Sequence, residues 1–225
     1  MSTLVVTGGS VSVRALQDYL KNHSFEHVIA VDAGILAAEQ LGLAADYLVG
    51  DFDTLGEQGL ARWENTAGLT VQRYNPKKDE TDTEIAVCLA LALEKENAGG
   101  RDFFPEQVVF FGATGTRLDH TLANLFLLAR FEQAGLSACI VDANNRISVH
   151  HTSFSFFRGG QYGKYISFLA LTPQVEGLTL HGFAYPLKGH VLKQESSLCI
   201  SNEAVGEKLG VEFSTGRLLM VESMD

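Results

Sequence analysis

Short apolar runs alternate with amphipathic stretches along the first two-thirds of the chain. The apolar runs predict strands over residues 4–7, 28–32, 47–50, 69–73, 108–112 and 138–142. The intervening stretches predict helices over residues 11–22, 35–41, 60–65, 85–96 and 122–134. Regular alternation of this kind predicts an α/β domain, in which helices cover both faces of a mostly parallel sheet.

The pattern changes near residue 146, after which no helical periodicity remains. Strand-like segments cover residues 147–157, 165–171, 178–183, 197–201 and 211–221, with Gly and Pro between them. Such segments predict a small antiparallel, all-β sandwich. We therefore expect two domains, an α/β domain over residues 1–145 and a β-sandwich over residues 146–225.

The composition is that of a globular protein, since 46% of the 225 residues are hydrophobic and 20% are charged. No apolar run approaches the roughly 20 residues that a membrane helix needs, and the first residues have no basic segment typical of a secretory signal. The three cysteines, Cys88, Cys139 and Cys199, lack metal-site spacing. We expect a cytoplasmic protein with free thiols.

The net charge of −10 is concentrated in the first domain. Residues 1–149 contain 11 basic and 20 acidic side chains, whereas residues 150–225 contain 6 and 7. The sequence therefore has no basic surface for a nucleic acid. A phosphate ligand of the acidic domain would require a divalent cation or a local basic patch.

Two acidic segments follow predicted strands. In Gly50-Asp51-Phe52-Asp53-Thr54, the two carboxylates can reach one hard cation, or the segment can form a turn that caps the next helix. Further along lies Lys77-Lys78-Asp79-Glu80-Thr81-Asp82-Thr83-Glu84. Its Thr81 and Glu84 fit a helix capping box, while its lysines and remaining carboxylates suit a metal–phosphate complex.

A third segment connects a predicted strand to a helix: Gly112-Ala113-Thr114-Gly115-Thr116-Arg117-Leu118-Asp119-His120, followed by Asn124. The glycines allow a tight turn, and the Arg117 guanidinium matches phosphate oxygens. Asp119 is predicted to be the helix N-cap, with His120 and Asn124 on one helical face. At a further strand end, Asp32 is expected either to bind a ribose hydroxyl or to cap the next helix.

Several common catalytic motifs are missing from the sequence. It contains no G-x-G-x-x-G dinucleotide fingerprint and no G-x-x-x-x-G-K-[ST] phosphate loop. It also contains no G-x-S-x-G nucleophile elbow. These absences argue against a dinucleotide dehydrogenase, a P-loop NTPase and an α/β-hydrolase.

Taken in order, these segments resemble the thiamin pyrophosphokinase family. The matching stretches are Asp32-Ala33-Gly34, Gly50 to Thr54, Lys78 to Glu84, Gly115 to His120 with Asn124, and Ile200-Ser201-Asn202-Glu203. The chain departs from the family pattern at Thr54, where serine is usual, and at Thr116, where glycine is usual. Neither departure removes a charged residue.

The resemblance implies transfer of a diphosphoryl group from ATP to the hydroxyl of thiamin, giving thiamin diphosphate and AMP. It also implies a homodimer, with each active site near the subunit interface. On this basis the α/β domain binds ATP and Mg²⁺, and the β-sandwich contributes to thiamin binding and dimerisation.

The resemblance also implies roles for individual residues. The metal site is expected to comprise Asp51, Asp53, Asp79 and Asp82, which with Arg117 form the catalytic set. The nucleotide side is expected to comprise Asp32, Gly34, Lys78, Thr81, Asp119, His120 and Asn124. Ser201 and Asn202 are expected to contact thiamin. Either Asp79 or Asp82 is the expected base for the thiamin hydroxyl.

Two other functions are alternatives to this one. Asp51-Phe52-Asp53 is similar to the paired aspartates of metal-dependent aspartate phosphatases, but Leu55 stands where their D-x-D-x-T pattern has threonine. The motif also follows the third predicted strand and not the first. A non-catalytic thiamin or nucleotide sensor is the other alternative, and it would need neither the carboxylates nor Arg117.

Overall fold

A computed structural model describes residues 2–75, 77, 79–95 and 106–225. The chain divides into two compact units, Met1–Ala143 and Asn144–Asp225. Within the described residues, no helix is both long enough and apolar enough to cross a membrane.

The first unit alternates strands and helices, as the hydrophobic pattern predicts. Its elements are β1 (Thr3–Val6), α1 (Val13–Leu20), β2 (His27–Val31), α2 (Gly34–Gln40), β3 (Tyr47–Gly50), α3 (Gly56–Glu64), β4 (Thr70–Arg73), α4 (Asp82–Lys95), β5 (Val108–Phe111), α5 (Leu118–Gln133) and β6 (Ala138–Val141). All described strand pairs of this unit are parallel, in the order β6-β5-β1-β2-β3-β4. The predicted α/β fold is confirmed.

The strand order places β1 in the middle of the sheet. From β1 the chain proceeds through β2 and β3 to β4, and then returns to the other side of β1 to form β5 and β6. Strands β1, β5 and β6 are buried along their whole length, which explains their continuous apolar sequences. Because the strands are parallel, the loops after β1, β2, β3 and β5 all emerge at one edge of the sheet.

The second unit contains only strands among its regular elements. These are β7 (Asn145–His150), β8 (Phe154–Phe157), β9 (Tyr165–Ala170), β10 (Gln174–His181), β11 (Leu187–Lys193), β12 (Asn202–Glu203), β13 (Lys208–Glu212) and β14 (Leu218–Ser223). They pair antiparallel as β12-β9-β14-β7 and as β11-β10-β13-β8. One cluster of buried side chains, including Phe168, Leu178, Leu209 and Leu218, joins the two sheets. The predicted all-β fold is confirmed.

Several local predictions are wrong. The predicted segments 147–157 and 211–221 each cover parts of two strands, β7 and β8 in the first and β13 and β14 in the second. Residues 197–201 form turns and not a strand, since the left-handed Ser201 (φ 57°) cannot continue a β-ladder. Strand β11 was not predicted, because Gly189 (φ 62°) and a register shift interrupt its alternation. Asp119 is not the N-cap of α5. That helix begins four residues earlier than expected, with extended Arg117 as its N-cap.

Candidate active site

A cleft of about 680 Å³ lies at the carboxyl edge of the parallel sheet. It is lined by residues 7–10, 31–33, 51, 53, 54, 80–83, 112–117, 120, 121 and 124. These residues come from the loops after β1, β2, β3 and β5 and from the beginnings of α4 and α5. The edge where strands of an open α/β sheet end is the usual ligand site of such folds.

Asp32 organises the turn beneath this cleft. Its Oδ1 accepts a hydrogen bond of 3.1 Å from the backbone N–H of Phe52. Asp32 (φ 45°) and the buried Phe52 (φ 63°) both have left-handed backbones, a conformation that non-glycine residues rarely adopt. A Cβ on Gly50 would lie 2.0 Å from Asp32 Oδ1, so only glycine fits there. Strain of this kind is concentrated at functional sites.

Three half-buried carboxylates converge at this turn. Asp32, Asp51 and Asp82 each offer an oxygen, and these oxygens lie within 4.8 Å of one another. Burial, together with the neighbouring Asp82 and Asp51 carboxylates, raises the pKa of Asp32 to about 7. Hard oxygen donors that repel one another so strongly fit a divalent cation such as Mg²⁺.

This cluster differs from the four carboxylates expected from the sequence. Asp51 and Asp82 belong to it, and Asp32, which was expected on the nucleotide side, takes the third position. Asp53 lines the same cleft, where its carboxylate accepts a 3.0 Å hydrogen bond from the Thr54 hydroxyl. Asp79 is exposed and is not among the described lining residues. The prediction for Lys78 lies outside the described residues.

Thr81 caps helix α4 at the rim of the cleft. Its hydroxyl accepts a 3.1 Å hydrogen bond from the backbone N–H of Glu84, as in a capping box. The Glu84 carboxylate binds Arg130 of α5 at 2.8 Å. The N-terminus of α4, which carries Asp82, is therefore tied to α5.

Asn124 supports the loop after β5 from below. Its side chain is 9% exposed, and its Nδ2 donates a 2.7 Å hydrogen bond to the carbonyl of Ala113. The hydroxyl of Thr114 donates to Asp142 at the end of β6, over 2.9 Å. Asn124, which was expected to bind nucleotide, thus lines the cleft while holding this loop in place.

Arg117 and Asp119 form an exposed, two-point ion pair. The Arg117 Nη2 donates to Asp119 Oδ2 at 2.6 Å, and its Nε donates to Oδ1 at 3.3 Å. This hydrogen bonding lowers the pKa of Asp119 and raises that of Arg117. Arg117 and His120 line the cleft, whereas Asp119 is not among its described lining residues. Asp119 is therefore placed to orient the guanidinium.

Gly34 begins α2 and is buried. A Cβ there would lie 2.0 Å from the carbonyl oxygen of Val6, so glycine allows α2 to approach the end of β1. Gly34 is not among the described lining residues of the cleft.

Ser201 and Asn202 lie in the second unit and have different environments. Ser201 is exposed, and its backbone N–H donates to the Ser167 hydroxyl at 2.9 Å. Asn202 is only 2% exposed. Its amide binds both the N–H and the carbonyl of Tyr185, at 2.9 and 2.8 Å. Asn202 therefore fixes the backbone of Tyr185, whose own side chain is exposed.

No site residue was predicted in the loop after β1, although all four residues from 7 to 10 line the cleft. The pattern that identifies it is a buried strand followed directly by Gly8-Gly9-Ser10. The place of Asp32 in the three-carboxylate cluster had no comparable local pattern, since it depends on residues 19 and 50 positions further along the chain.

Comparison with family models matches both units. The model of the thiamin pyrophosphokinase catalytic domain matches residues 16–140. The model of the thiamin pyrophosphokinase vitamin B1 binding domain matches residues 151–220. The chain is 32% identical over 222 residues to a thiamine pyrophosphokinase of Bacillus subtilis, covering 98% of each chain.

Solved structures give the same result. The crystal structure of the B. subtilis thiamine pyrophosphokinase superposes with a TM-score of 0.83 at 32% identity, covering 100% of both chains. That of Geobacillus thermodenitrificans thiamin pyrophosphokinase gives 0.81 at 31% identity, covering 100% of this chain and 98% of that one. The comparisons give no support to the phosphatase or the sensor hypothesis. By sequence and by fold, the chain belongs to the thiamin pyrophosphokinase family.

Proposed function

We propose that this enzyme transfers a diphosphoryl group from ATP to the hydroxyl of thiamin, producing thiamin diphosphate and AMP. Membership of the thiamin pyrophosphokinase family supports this reaction. The structural observation that carries it is the convergence of Asp32, Asp51 and Asp82 in a cleft that is also lined by Arg117. Carboxylates and a guanidinium in one cleft suit a metal–polyphosphate ligand.

We propose that Asp32, Asp51 and Asp82 hold Mg²⁺, with Asp53 beside them in the cleft. When bound, Mg²⁺ neutralises charge on the ATP phosphates and favours attack at the β-phosphorus. The protein's own contribution is to position the reactants, since phosphoryl-type transfer requires alignment and charge stabilisation more than covalent chemistry. The strained turn at Asp32 and Phe52 supplies such a rigid support.

Arg117, His120 and Thr81 are proposed to contact the nucleotide, because all three line the cleft. The Arg117 guanidinium can bind two phosphate oxygens at once, and Asp119 holds it ready in a defined orientation. Asn124 is proposed to act through the Ala113 carbonyl, by fixing the loop that carries these groups.

A carboxylate is proposed to accept the proton of the thiamin hydroxyl. Of the two candidates from the sequence, Asp82 lines the cleft, whereas Asp79 is exposed and is not among the described lining residues. This difference favours Asp82. The acidic cleft also suits the positive charge of the thiazolium ring.

Ser201 is proposed to contact thiamin, and Asn202 to shape that contact by holding Tyr185. The match of residues 151–220 to the vitamin B1 binding domain supports this assignment.

We also propose that the protein is a homodimer that associates through its second unit. Residues 150–225 are nearly neutral, which limits repulsion between copies. Tyr185, Leu198, Ile200 and Val205 are exposed apolar or aromatic side chains of that unit. Sedimentation velocity over a range of concentrations tests the dimer, and a monomer at all concentrations contradicts it.

The three free cysteines, two of them buried, support a cytoplasmic location.

One experiment tests the reaction. The protein is incubated with ATP, Mg²⁺ and thiamin, and both products are identified by mass spectrometry. We expect AMP and thiamin diphosphate in equal amounts. ADP with thiamin monophosphate as the main products would contradict the proposal. An Asp51→Asn variant in parallel shows whether the activity belongs to this cleft.

A further inference from the structure

Residues 7–10 form the loop after β1 (the β1 loop). This loop lies where successive strands begin to be added on the opposite side of β1. From β1 the chain continues towards β2, whereas the neighbouring β5 leads to β6 on the opposite side. The loops after β1 and β5 therefore diverge above adjacent strands, and such switch points form ligand crevices. All four residues of the β1 loop line the cleft.

The β1 loop contacts the loop after β5 through backbone atoms. A Cβ on Gly9 would lie 2.1 Å from the Gly112 carbonyl oxygen and 2.9 Å from that of Thr114. A Cβ on Gly112 (φ 79°) would lie 2.6 Å from the Thr7 carbonyl oxygen. The Ser10 N–H donates a 3.1 Å hydrogen bond to Thr114. Side chains at either glycine would separate the two loops.

Two backbone N–H groups of the β1 loop have no protein acceptor among the described residues. Gly8 and Gly9 are exposed, and within the described part of the chain neither backbone N–H donates a hydrogen bond. A Cβ on Gly8 would meet atoms only at 3.5 Å or beyond, so this residue is not constrained in the same way. Consecutive glycine N–H groups at a strand end are a common cradle for phosphate oxygens.

We infer that the Gly8 and Gly9 N–H groups bind phosphate oxygens of the donor nucleotide, and that Gly9 positions them by locking the β1 loop onto Gly112. This inference rests on the proposed function, since it assumes that the cleft takes ATP. The β1 loop then forms one wall of the phosphate site. The carboxylates at Asp32 and the Arg117 loop form the others.

The test compares Gly9→Ala with wild type and with Gly59→Ala. Gly59 lies in α3 outside the cleft, and a Cβ there meets only the Leu55 Cβ, at 3.5 Å. Equilibrium titration with ATP, with inorganic diphosphate, and with thiamin gives each affinity separately. We expect Gly9→Ala to weaken ATP and diphosphate binding about tenfold or more, comparable to losing hydrogen bonds to a charged group. Its affinity for thiamin should change by less than about twofold, as should all affinities of Gly59→Ala.

A second variant removes the Gly9 N–H without adding a Cβ. Replacing Gly9 by glycolic acid converts that peptide to an ester, and it decides the question if Gly9→Ala fails to fold. We expect weaker ATP binding with an unchanged unfolding midpoint. Normal ATP binding by the ester variant overturns the inference. The proposed function stays intact in that case, provided that the wild-type protein converts ATP to AMP. If wild type itself neither binds ATP nor forms AMP, the proposed function fails first.

Discussion

Asp32 Oδ1 and the backbone N–H of Phe52 are joined by a hydrogen bond of 3.1 Å between two residues that both have positive φ. The Asp32 carboxylate thus stabilises a strained turn. The same carboxylate also lies next to those of Asp51 and Asp82. Asp32 therefore has two separable tasks. An amide side chain can retain the hydrogen bond but not the charge, whereas alanine loses both.

We expect Asp32→Asn to remain folded and to lose about 10²-fold in turnover, because the charge of Asp32 contributes to the proposed Mg²⁺ site. Asp32→Ala should lose similar activity and, in addition, about 1–2 kcal/mol of unfolding free energy, because the buried Phe52 N–H loses its acceptor. Steady-state kinetics and urea denaturation measure the two effects.

Asp46→Asn is the matched control for this pair. Asp46 also accepts a backbone hydrogen bond, from Val28 at 2.8 Å, but it is not among the described residues that line the cleft. Its activity should be unchanged. Wild-type turnover in Asp32→Asn would show that the charge of Asp32 is not used.

Asp51→Asn and Asp53→Asn test the proposed Mg²⁺ site at the loop after β3. Each should lose about 10²-fold or more in turnover while keeping its unfolding midpoint, because both side chains lie outside the core. Chelation by EDTA should abolish wild-type activity, and added Mg²⁺ should restore it. We expect Asp51→Asn to need more Mg²⁺ than Asp53→Asn, since only Asp51 of this pair belongs to the three-carboxylate cluster of the described residues. Equal Mg²⁺ dependence for wild type and Asp51→Asn would remove Asp51 from the metal site.

Arg117→Lys should remain impaired by about tenfold in kcat/KM for ATP, although it retains the charge. The two-point geometry seen with Asp119 belongs to guanidinium and cannot be reproduced by an ammonium group. Arg14→Lys, an exposed arginine on α1, is the control and should behave as wild type. Normal kinetics of Arg117→Lys would reduce Arg117 to an ordinary loop residue.

Ser201→Gly should raise the KM for thiamin without changing that for ATP. Glycine tolerates the left-handed backbone of Ser201, so the substitution removes the hydroxyl without adding strain. Asn202→Ala should lower stability as well, because it breaks the buried hydrogen bonds to Tyr185. Thermal unfolding and the two KM values separate these effects. An unchanged thiamin KM in Ser201→Gly would exclude the hydroxyl from thiamin binding.

The buried His150 is expected to make the free energy of unfolding depend on pH. Burial lowers its pKa from 6.5 to about 3, with the nearby His151 and Arg146 charges acting in the same direction. Below pH 6.5, His150 therefore binds a proton in the unfolded state but stays neutral in the folded state. The contribution of His150 to the free energy of unfolding is fully present above pH 6.5. It decreases as the pH falls towards 3, by at most about 1.4 kcal/mol per pH unit.

His150→Phe should make this acid loss shallower, because phenylalanine retains the stacking on Phe154 but cannot be protonated. Urea denaturation at a series of pH values from 4 to about 7 measures the slopes. His181→Gln, at an exposed histidine, should keep the wild-type slope. Identical slopes for His150→Phe and wild type would show that His150 does not control acid stability.

The sequence by itself determined the fold class and most of the elements. Buried parallel strands need apolar side chains on both faces, and helices between them need one apolar stripe, so both leave local periodic patterns. The same argument failed for β11, whose bulge at Gly189 interrupts the alternation. The ordered motifs around Asp51, Asp82 and Arg117 also identified the family from the sequence alone.

Only the tertiary structure decided which side chains meet. Asp32 joins Asp51 and Asp82 because parallel strands deliver distant loops to one edge of the sheet, and neither the register nor the strand order is recorded locally. Burial likewise gives Asn202, an expected thiamin contact, hydrogen bonds to both backbone groups of Tyr185, which the sequence did not predict. Gly9 acquires its importance from the nearby Gly112 carbonyl, about a hundred residues further along the chain. Local periodicity reflects the backbone and its burial, whereas the site depends on long-range packing that no short segment encodes.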